Sequence, residues 1–201
     1  MRRVGEQAYL LDTGSAASAL VAYASLDSAE VPGVVEIVPG ADSLLVVFSD
    51  APDAECERQL AAVERSSRGH APQETGSEHV LEVVYDGPDL EDVAVATSLT
   101  VDGVIERHAS ASYRVAFVGF QPGFAYLSGL PEALATPRRA TPRPRIPAGS
   151  VAIGGEWTGV YPAESPGGWQ LIGTSRVSLF DPAAEPPARL LPGDRVRFVA
   201  R

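Results

Sequence analysis

The chain has 201 residues, of which 45% are hydrophobic, and it carries a formal net charge of −10. This length supports one or two domains whose cores need no disulfide or metal. The acidity argues against a general nucleic-acid binder and against attachment to anionic membranes, because both require a basic face.

Two residue counts exclude further classes of protein. Cys56 is the only cysteine, so no intrachain disulfide can form and a cytoplasmic location fits best. All sixteen basic residues are arginine. Without lysine the chain cannot build a Walker A phosphate loop, a Schiff base, a biotinyl attachment site or the Ser-Ser-Lys site of an amidase.

The first third of the chain predicts a small α+β domain over residues 1–68, with an antiparallel sheet. Ser15 is a suitable N-cap for its first helix. Gly40-Ala41-Asp42 is a plausible turn between two apolar strands. The predicted elements are, in order, a strand, a helix, two strands and a helix at 7–12, 16–24, 34–40, 43–48 and 53–65.

The N-terminal segment does not resemble a signal peptide or a membrane anchor. Glu6 and Asp12 interrupt the apolar run that a signal peptide would need. The uncharged run from Ser15 to Leu26 is too short to cross a bilayer. We therefore expect neither feature in this segment.

Residues 69–79 are predicted to be a linker. The surrounding segment, SSRGHAPQETGSEH (66–79), has no apolar residue beyond Ala71. His70 and His79 lie in it, and we expect both side chains to be solvated. A metal site is not expected there, because no cysteine and no closely spaced histidine pair accompanies them.

Residues 80–201 predict a barrel that begins with a strand and two helices. Leu90, Val93 and Ala94 follow helical spacing, and Thr100 can cap a second helix whose apolar face ends at His108. A strand at 113–120 then precedes short apolar runs broken by Gly and Pro, a pattern typical of barrels. These runs are SVAIGG (150–155), TGVYPA (158–163), WQLIGT (169–174), VSLFD (177–181) and RVRFVA (195–200).

The segment GFQPGFAYLSGLP (119–131) combines glycines, prolines and aromatic residues. Glycines allow positive φ and close approach of the backbone, and proline stiffens the loop. The segment is either a tight barrel corner or a loop that lines a ligand. In the second interpretation Gln121 donates to the ligand and Phe124 packs against it.

The segment TPRRATPRPRIP (136–147) has four arginines, four prolines and no acid. The prolines limit the freedom of the loop, and each guanidinium offers a planar fork for a carboxylate or phosphate. Arg138, Arg139 and Arg143 are therefore candidates for binding an anionic substrate. The alternatives are a solvated loop paired with the protein's own acids, or a docking surface for another chain.

Four further residues could carry chemistry. His108 has the ordinary imidazole range for acid–base work, although a histidine on an apolar helix face is equally suited to a hydrogen-bonded place in the core. Glu164 is a candidate base, with a surface glutamate as the alternative. Tyr161 and Gln170 lie in the same Gly/Pro-rich segment and are candidates for substrate binding. No metal site, catalytic triad or phosphate loop is evident.

The ordered run VGFQPGFAYLSGLP, ATPRRATPRPRIPAGSVAIGG and TGVYPAESPGGWQLIGTS resembles the family of the 5-oxoprolinase B subunit, also called allophanate hydrolase subunit 1 or KipI-like. YDGPDLEDVA and IERHAS add to the resemblance, which spans most of residues 80–201. It implies an α+β N-terminal domain followed by a cyclophilin-like β-barrel C-terminal domain.

The resemblance also implies partners and an activity. The B subunit would act with a C subunit, which is similar to allophanate hydrolase subunit 2, and with an A subunit. Together they would open 5-oxoproline, a lactam, to glutamate, with ATP used by the complex and no activity in the isolated chain. Alternative functions in the family are inhibition of a histidine kinase and a part in urea or allophanate breakdown. In the first function, an arginine would hold the substrate carboxylate, Gln121 or Gln170 the lactam, and His108 a proton or a water.

Overall fold

The computed structural model describes residues 1–29, 31–72 and 76–201, and the middle of the predicted linker, residues 73–75, lies outside them. The chain divides into two compact units, Met1–Thr75 and Gly76–Arg201. Both units mix helices and strands. No described helix has both the length and the apolar character that a membrane crossing needs.

The first unit is a four-stranded antiparallel sheet with two helices. The sheet order is β1-β2-β4-β3. Its apolar core includes Leu11, Leu44, Val46 and Leu60, all fully buried. The elements are β1 (Arg2–Val4), β2 (Ala8–Asp12), α1 (Ala16–Ala29), β3 (Val34–Pro39), β4 (Ser43–Phe48) and α2 (Ala54–Ser67).

Side-chain caps begin both helices of this unit. The Ser15 hydroxyl accepts a hydrogen bond from the backbone N–H of Ser18 at 3.1 Å, which confirms the predicted cap of α1. Asp53 accepts from the backbone N–H groups of Glu55 and Cys56 at 3.0 and 2.9 Å. Because these bonds favour the ionised carboxylate, the pKa of Asp53 lies below its ordinary value. Helix α1 runs to Ala29, beyond the predicted end at residue 24.

The second unit is built around a seven-stranded sheet, in the order β12-β9-β10-β7-β6-β13-β5, with a separate ribbon formed by β8 and β11. Its strands are β5 (Glu78–Val83), β6 (Tyr113–Val118), β7 (Ala125–Ser128), β8 (Arg143–Ile146), β9 (Ser150–Gly154), β10 (Trp157–Val160), β11 (Ser165–Gly167), β12 (Gln170–Thr174) and β13 (Arg195–Ala200). Its helices are α3 (Leu90–Ala96), α4 (Val101–Ser110) and a 3-10 turn at Glu132–Leu134.

The two ends of the seven-stranded sheet meet in one bridge, so the sheet is a nearly closed barrel. Val84, just after β5, exchanges two backbone hydrogen bonds with Thr174 of β12, at 2.9 and 2.8 Å. The predicted barrel is thus present in this unit. The predicted strand at VSLFD (177–181) is wrong, because that segment forms only an isolated bridge between Phe180 and Ala188.

Alternation along the barrel strands separates an inner core from an outer cluster. On β9, Val151 and Ile153 belong to the inner core, whereas Ala152 belongs to the second cluster. On β12, Ile172 and Leu171 divide in the same way. The sheet is therefore buried on both faces here, and the outer cluster is the candidate site described below.

The predicted solvated side chain is correct for His70 and wrong for His79. His70 is exposed. His79 lies in β5, and its Nε2 is 3.1 Å from a carboxylate oxygen of Asp194 in the turn before β13. The same carboxylate accepts from the backbone N–H of Ser77 at 2.9 Å. These contacts tie the start of β5 to the strand beside it.

Replacing Gly87 with alanine is expected to destabilise the barrel. A Cβ at Gly87 would overlap the backbone of Leu171 and Ile172, and backbone atoms of β12 cannot move aside as a flexible side chain would. We expect a loss of about 1–3 kcal/mol in the free energy of unfolding, measured by urea denaturation. Gly119→Ala is the control, because a Cβ there meets nothing within 4 Å. Equal stability of the two variants would contradict the close approach of Gly87 to the backbone of β12.

Candidate functional site

The loop between β6 and β7 presents an aromatic side chain on a strained backbone. The N–H of Gln121 donates to the carbonyl of Gly119 at 2.8 Å, and Phe120 between them has φ of 70°. This is a γ-turn with a positive central φ, which is rare and costly for a residue with a bulky side chain. Phe120 is also 59% exposed, so burial of its ring does not offset the strain. Such strain is a reason to look for function nearby.

A second turn closes the same loop. The N–H of Phe124 donates to the carbonyl of Gln121 at 3.0 Å, with Pro122 and Gly123 at the two central positions. Gly123 has φ of 80°, and a Cβ there would lie 2.7 Å from the Cβ of Phe180. Only glycine meets both conditions. The segment is thus a tight barrel corner, and it also directs Phe120 outward.

The outer cluster next to this corner is a set of aromatic rings in edge-to-face contact. Phe124, Tyr161 and Trp169 are buried, and the Phe124 ring lies 5.2 Å from Tyr161 and 5.4 Å from Trp169 between centroids. Phe120 meets Phe124 and Tyr161 edge-on, at 5.5 and 6.3 Å. Tyr126 joins from β7 through Trp169. The exposed Phe120 ring is therefore the outer end of a continuous aromatic wall.

Two of the candidate arginines bind an acid of the same chain. Arg143 binds Asp89 with both terminal nitrogens, at 2.8 and 2.6 Å, and Arg139 donates to the same carboxylate at 2.9 Å. Asp89 is only 1% exposed. For Arg139 and Arg143 the geometry fits the alternative in which the loop is paired internally.

The other two arginines of the loop face different surroundings. The guanidinium carbon of Arg138 lies 5.8 Å from the centroid of the Trp169 ring, a cation–π arrangement. Arg145 pairs with Glu164 at 3.2 Å, and both side chains are more than half exposed. An ion pair so exposed contributes little to stability. Arg138 is thus the cation beside the aromatic wall.

The outer cluster lies on the outer face of the barrel sheet. The two candidate amides border this face, and the candidate tyrosine belongs to the cluster. The amide nitrogen of Gln170 donates to the carbonyl of Pro137 at 3.0 Å, and that of Gln121 reaches the carbonyl of Ala163 at 3.4 Å. Burial raises the pKa of Tyr161 to about 12. Its hydroxyl therefore keeps its proton at neutral pH and can act as a donor.

His108 lies inside the barrel and away from this face. It is fully buried, its ring stacks on Phe198 with centroids 4.6 Å apart, and both ring nitrogens are hydrogen-bonded. The Nδ1 atom is 2.8 Å from the Tyr85 hydroxyl, and Nε2 is 2.9 Å from the hydroxyl of Thr158. On β10, Thr158 faces inward, whereas its neighbour Trp157 packs on the outer cluster.

The bonding partners define the tautomer of His108. Thr158 donates its only hydroxyl proton to the carbonyl of Ala152 at 2.9 Å, so it must accept from His108 Nε2–H. Nδ1 is then the acceptor for the Tyr85 hydroxyl. Burial lowers the pKa of His108 from 6.5 to about 3, which agrees with a neutral ring. The catalytic role for His108 stays a prediction, and the geometry gives the ring no contact with the outer face.

The structure thus places the candidate residues in different surroundings. Gln121, Phe124, Arg138, Tyr161 and Gln170 border the outer face. Arg139 and Arg143 support that face through Asp89. Of the two predicted catalytic residues, His108 lies inside the barrel, and Glu164 is an exposed partner of Arg145. In the described ranges no group of three or more His, Cys, Asp or Glu is arranged to hold a metal ion.

Two residues of this face were not among the predicted site residues. Asp89 sits in the predicted helix start, where an aspartate ordinarily suggests a cap, and nothing local indicates arginine partners 50 or more positions away. Phe120 is the exposed aromatic of the loop, and its positive φ is set by the turn rather than by its residue type. The clustering of aromatic residues around Gly and Pro was the available signal for Phe120.

A family model described as carboxyltransferase domain, subdomain C and D, matches residues 1–190. A relative named as the B subunit of 5-oxoprolinase, from Escherichia coli O157:H7, is 49% identical over 177 residues, which cover 85% of this chain and 79% of that protein. These similarities extend through both compact units.

Solved structures are similar over nearly the whole chain. The crystal structure of TTHA0988 has a TM-score of 0.79 at 38% identity, covering 97% of this chain and 40% of that one, so this chain spans less than half of that protein. The Kluyveromyces lactis urea carboxylase has a TM-score of 0.74 at 20% identity, covering 100% of this chain and 21% of that one. At that identity the likeness shows the fold alone.

His108→Gln is expected to flatten the pH dependence of stability. Below pH 6.5 the unfolded chain takes up a proton at this position, whereas the folded chain does not until about pH 3. Stability contributed by the neutral ring is therefore lost as the pH falls through that window, at about 1.4 kcal/mol per pH unit. Urea unfolding at pH 7 and pH 5 measures the slope.

The exposed His70 provides the control for this measurement. His70→Gln should keep the pH dependence of stability that the parent protein shows. In His108→Gln this slope should be smaller by the contribution of about one proton. A parent-like slope in His108→Gln would show that the buried ring does not exclude the proton.

Proposed function

The chain belongs to the family described as carboxyltransferase domain, subdomain C and D, and from that membership we propose that it is the B subunit of a heteromeric 5-oxoprolinase. The observation that carries the proposal is the identity of 49% with a protein named as the B subunit of 5-oxoprolinase, along 79% of that protein. The reaction is the opening of 5-oxoproline to glutamate, with ATP used by the complex.

The chemistry of the outer face supports a substrate of this kind. 5-Oxoproline is a small, nearly flat lactam that carries one carboxylate. Arg138 supplies a guanidinium for the carboxylate, and the exposed Phe120 ring at the end of the aromatic wall offers flat apolar contact for the lactam ring. Gln121, Gln170 and the protonated Tyr161 hydroxyl are the polar groups for the lactam. Arg139 and Arg143 belong to the support of the site, since both bind Asp89.

The residues of this face suit binding better than bond breaking. Opening the lactam breaks its C–N bond, while water supplies a hydroxyl to the carbonyl carbon and a proton to the nitrogen. That step needs a base for the water, and the candidate base Glu164 is exposed and paired with Arg145. Among the described residues we find no nucleophile, base and oxyanion site arranged together. We therefore assign the remaining catalytic groups to the partners, a C subunit and an A subunit.

Two further assignments accompany this proposal. ATP is hydrolysed by the complex and not by this chain alone, which has no lysine and therefore no Walker A loop. The complex acts in the cytoplasm, in keeping with a single cysteine. The proposal includes a cyclophilin-like topology for the barrel of residues 80–201 and a separate α+β domain over residues 1–68, as the resemblance in sequence implies.

Co-expression with a C subunit is expected to give a stable heteromer. An obligate interface of this kind buries on the order of 2,000 Å² or more, so the complex should survive dilution to micromolar concentration. Size-exclusion chromatography with light scattering measures its mass, and an unrelated barrel protein of similar size is the negative control.

With an A subunit added, the mixture should form glutamate from 5-oxoproline and ATP, whereas the isolated chain should not. Two independent monomers, or full activity of the single chain, would refute the proposal.

Arg138→Ala is expected to weaken substrate binding in the reconstituted complex. A lost hydrogen bond to a charged group costs about 1.5–3 kcal/mol, which corresponds to a roughly ten- to hundredfold rise in KM for 5-oxoproline. The value of kcat should change less. Arg107→Ala, on the exposed side of α4, is the matched control and should leave KM unchanged. If Arg138→Ala keeps the parent KM, the carboxylate is not held at this face.

A further inference from the structure

Asp89 occupies the N-cap position of α3 but does not cap that helix. An aspartate at this position ordinarily accepts from backbone N–H groups of the first turn. Here no side-chain cap bond is formed, and the backbone dihedrals of Asp89 are −106° and 5°. The carboxylate is therefore turned away from its own helix and used elsewhere.

The four bonds that the carboxylate does accept come from two distant segments. One oxygen accepts from Arg139 at 2.9 Å and Arg143 at 2.6 Å, and the other from Arg143 at 2.8 Å and the backbone N–H of Leu171 at 2.7 Å. A buried carboxylate is stable only with such partners, and charge-assisted bonds to arginine are the strong kind. An asparagine could not accept all four, because its amide nitrogen donates.

These contacts fix two segments that border the outer face. Arg139 directly follows Arg138, and its backbone N–H donates to the carbonyl of Gly168 at 2.7 Å. Leu171 directly follows Gln170, and its carbonyl accepts from the backbone N–H of Asp89 at 3.0 Å. The segment 136–147, here called the arginine loop, and the start of β12 are thus joined through the buried Asp89 side chain as well as by direct hydrogen bonds.

The geometry points to Asp89 as a positioning residue that holds Arg138 over Trp169 and so sets the carboxylate-binding end of the site, without touching substrate itself. The inference rests on the proposed function only for the identity of the substrate. The placement of Arg138 over the ring is a property of the isolated chain. Two experiments therefore test the two parts separately.

The first experiment uses Trp169 as a reporter in the isolated chain. The protein has two tryptophans, so Trp157→Phe leaves Trp169 as the only indole. In that background Asp89→Asn should shift the emission to longer wavelength and increase quenching by iodide, because the arginine loop no longer covers the ring. Asp92→Asn removes the same charge from an exposed position in α3 and should match the parent.

A second variant keeps this test decisive if Asp89→Asn does not fold. Arg139→Gln removes one arm of the cluster and leaves the bidentate pair of Asp89 with Arg143, so a smaller shift in the same direction is expected. Urea denaturation first establishes that each variant is folded. A folded variant of either kind with the emission and quenching of the parent would overturn the positioning role.

The second experiment is a double-mutant cycle in the reconstituted complex. If Asp89 acts through Arg138, Asp89→Asn should raise KM for 5-oxoproline by about tenfold with little change in kcat, and the double variant should be no worse than Arg138→Ala alone. Independent, multiplying effects on KM would overturn the action through Arg138. A Trp169 shift together with an unchanged KM in Arg138→Ala would sustain the positioning by Asp89 and reject the proposed substrate site.

Discussion

A carboxylate removed from water must be met by hydrogen-bond donors, and this requirement at Asp89 joins three segments of the second compact unit. Its 1% exposure leaves no solvent to stabilise the charge. Two arginines and a strand amide supply the donors instead. As a result, the proline-rich segment 136–147, the start of α3 and strand β12 are held in fixed positions relative to one another. Two of the four arginines in the loop are counterparts of this single acid.

The two faces of the barrel sheet carry different kinds of side chain. Its inner face contains the neutral His108, with one tautomer defined by the hydroxyls of Tyr85 and Thr158. The outer face contains the aromatic wall and the Arg138 cation. Because side chains alternate along each strand, adjacent residues such as Trp157 and Thr158 serve opposite sides. His108 therefore lies on the opposite side of the sheet from the aromatic wall, with both ring nitrogens hydrogen-bonded within the core.

Local features of the fold could be predicted from the sequence, and contacts between distant segments could not. Ser15 and Thr100 act as caps through bonds to residues three positions on, so residue type and spacing suffice to identify them. The Gly/Pro content of 119–131 likewise indicates a tight corner. The partners of Asp89 lie 50, 54 and 82 positions away, and no periodicity encodes such a pairing. The strand expected at VSLFD fails for a related reason, since a β-favourable composition does not create a neighbouring strand to pair with.

The parallel pairing of β5 with β13 has a consequence for how the barrel is made. Glu78 pairs with Arg195 and Val83 with Ala200, so the first strand of the unit pairs with a strand more than a hundred residues later. During synthesis β5 emerges first and stays an unpaired edge until nearly the whole unit has been made. Loop closure over that distance is slow compared with the formation of a hairpin such as β9–β10. β5 is therefore the strand of this unit that waits longest for its neighbour, and the six-residue strand β13 supplies that neighbour.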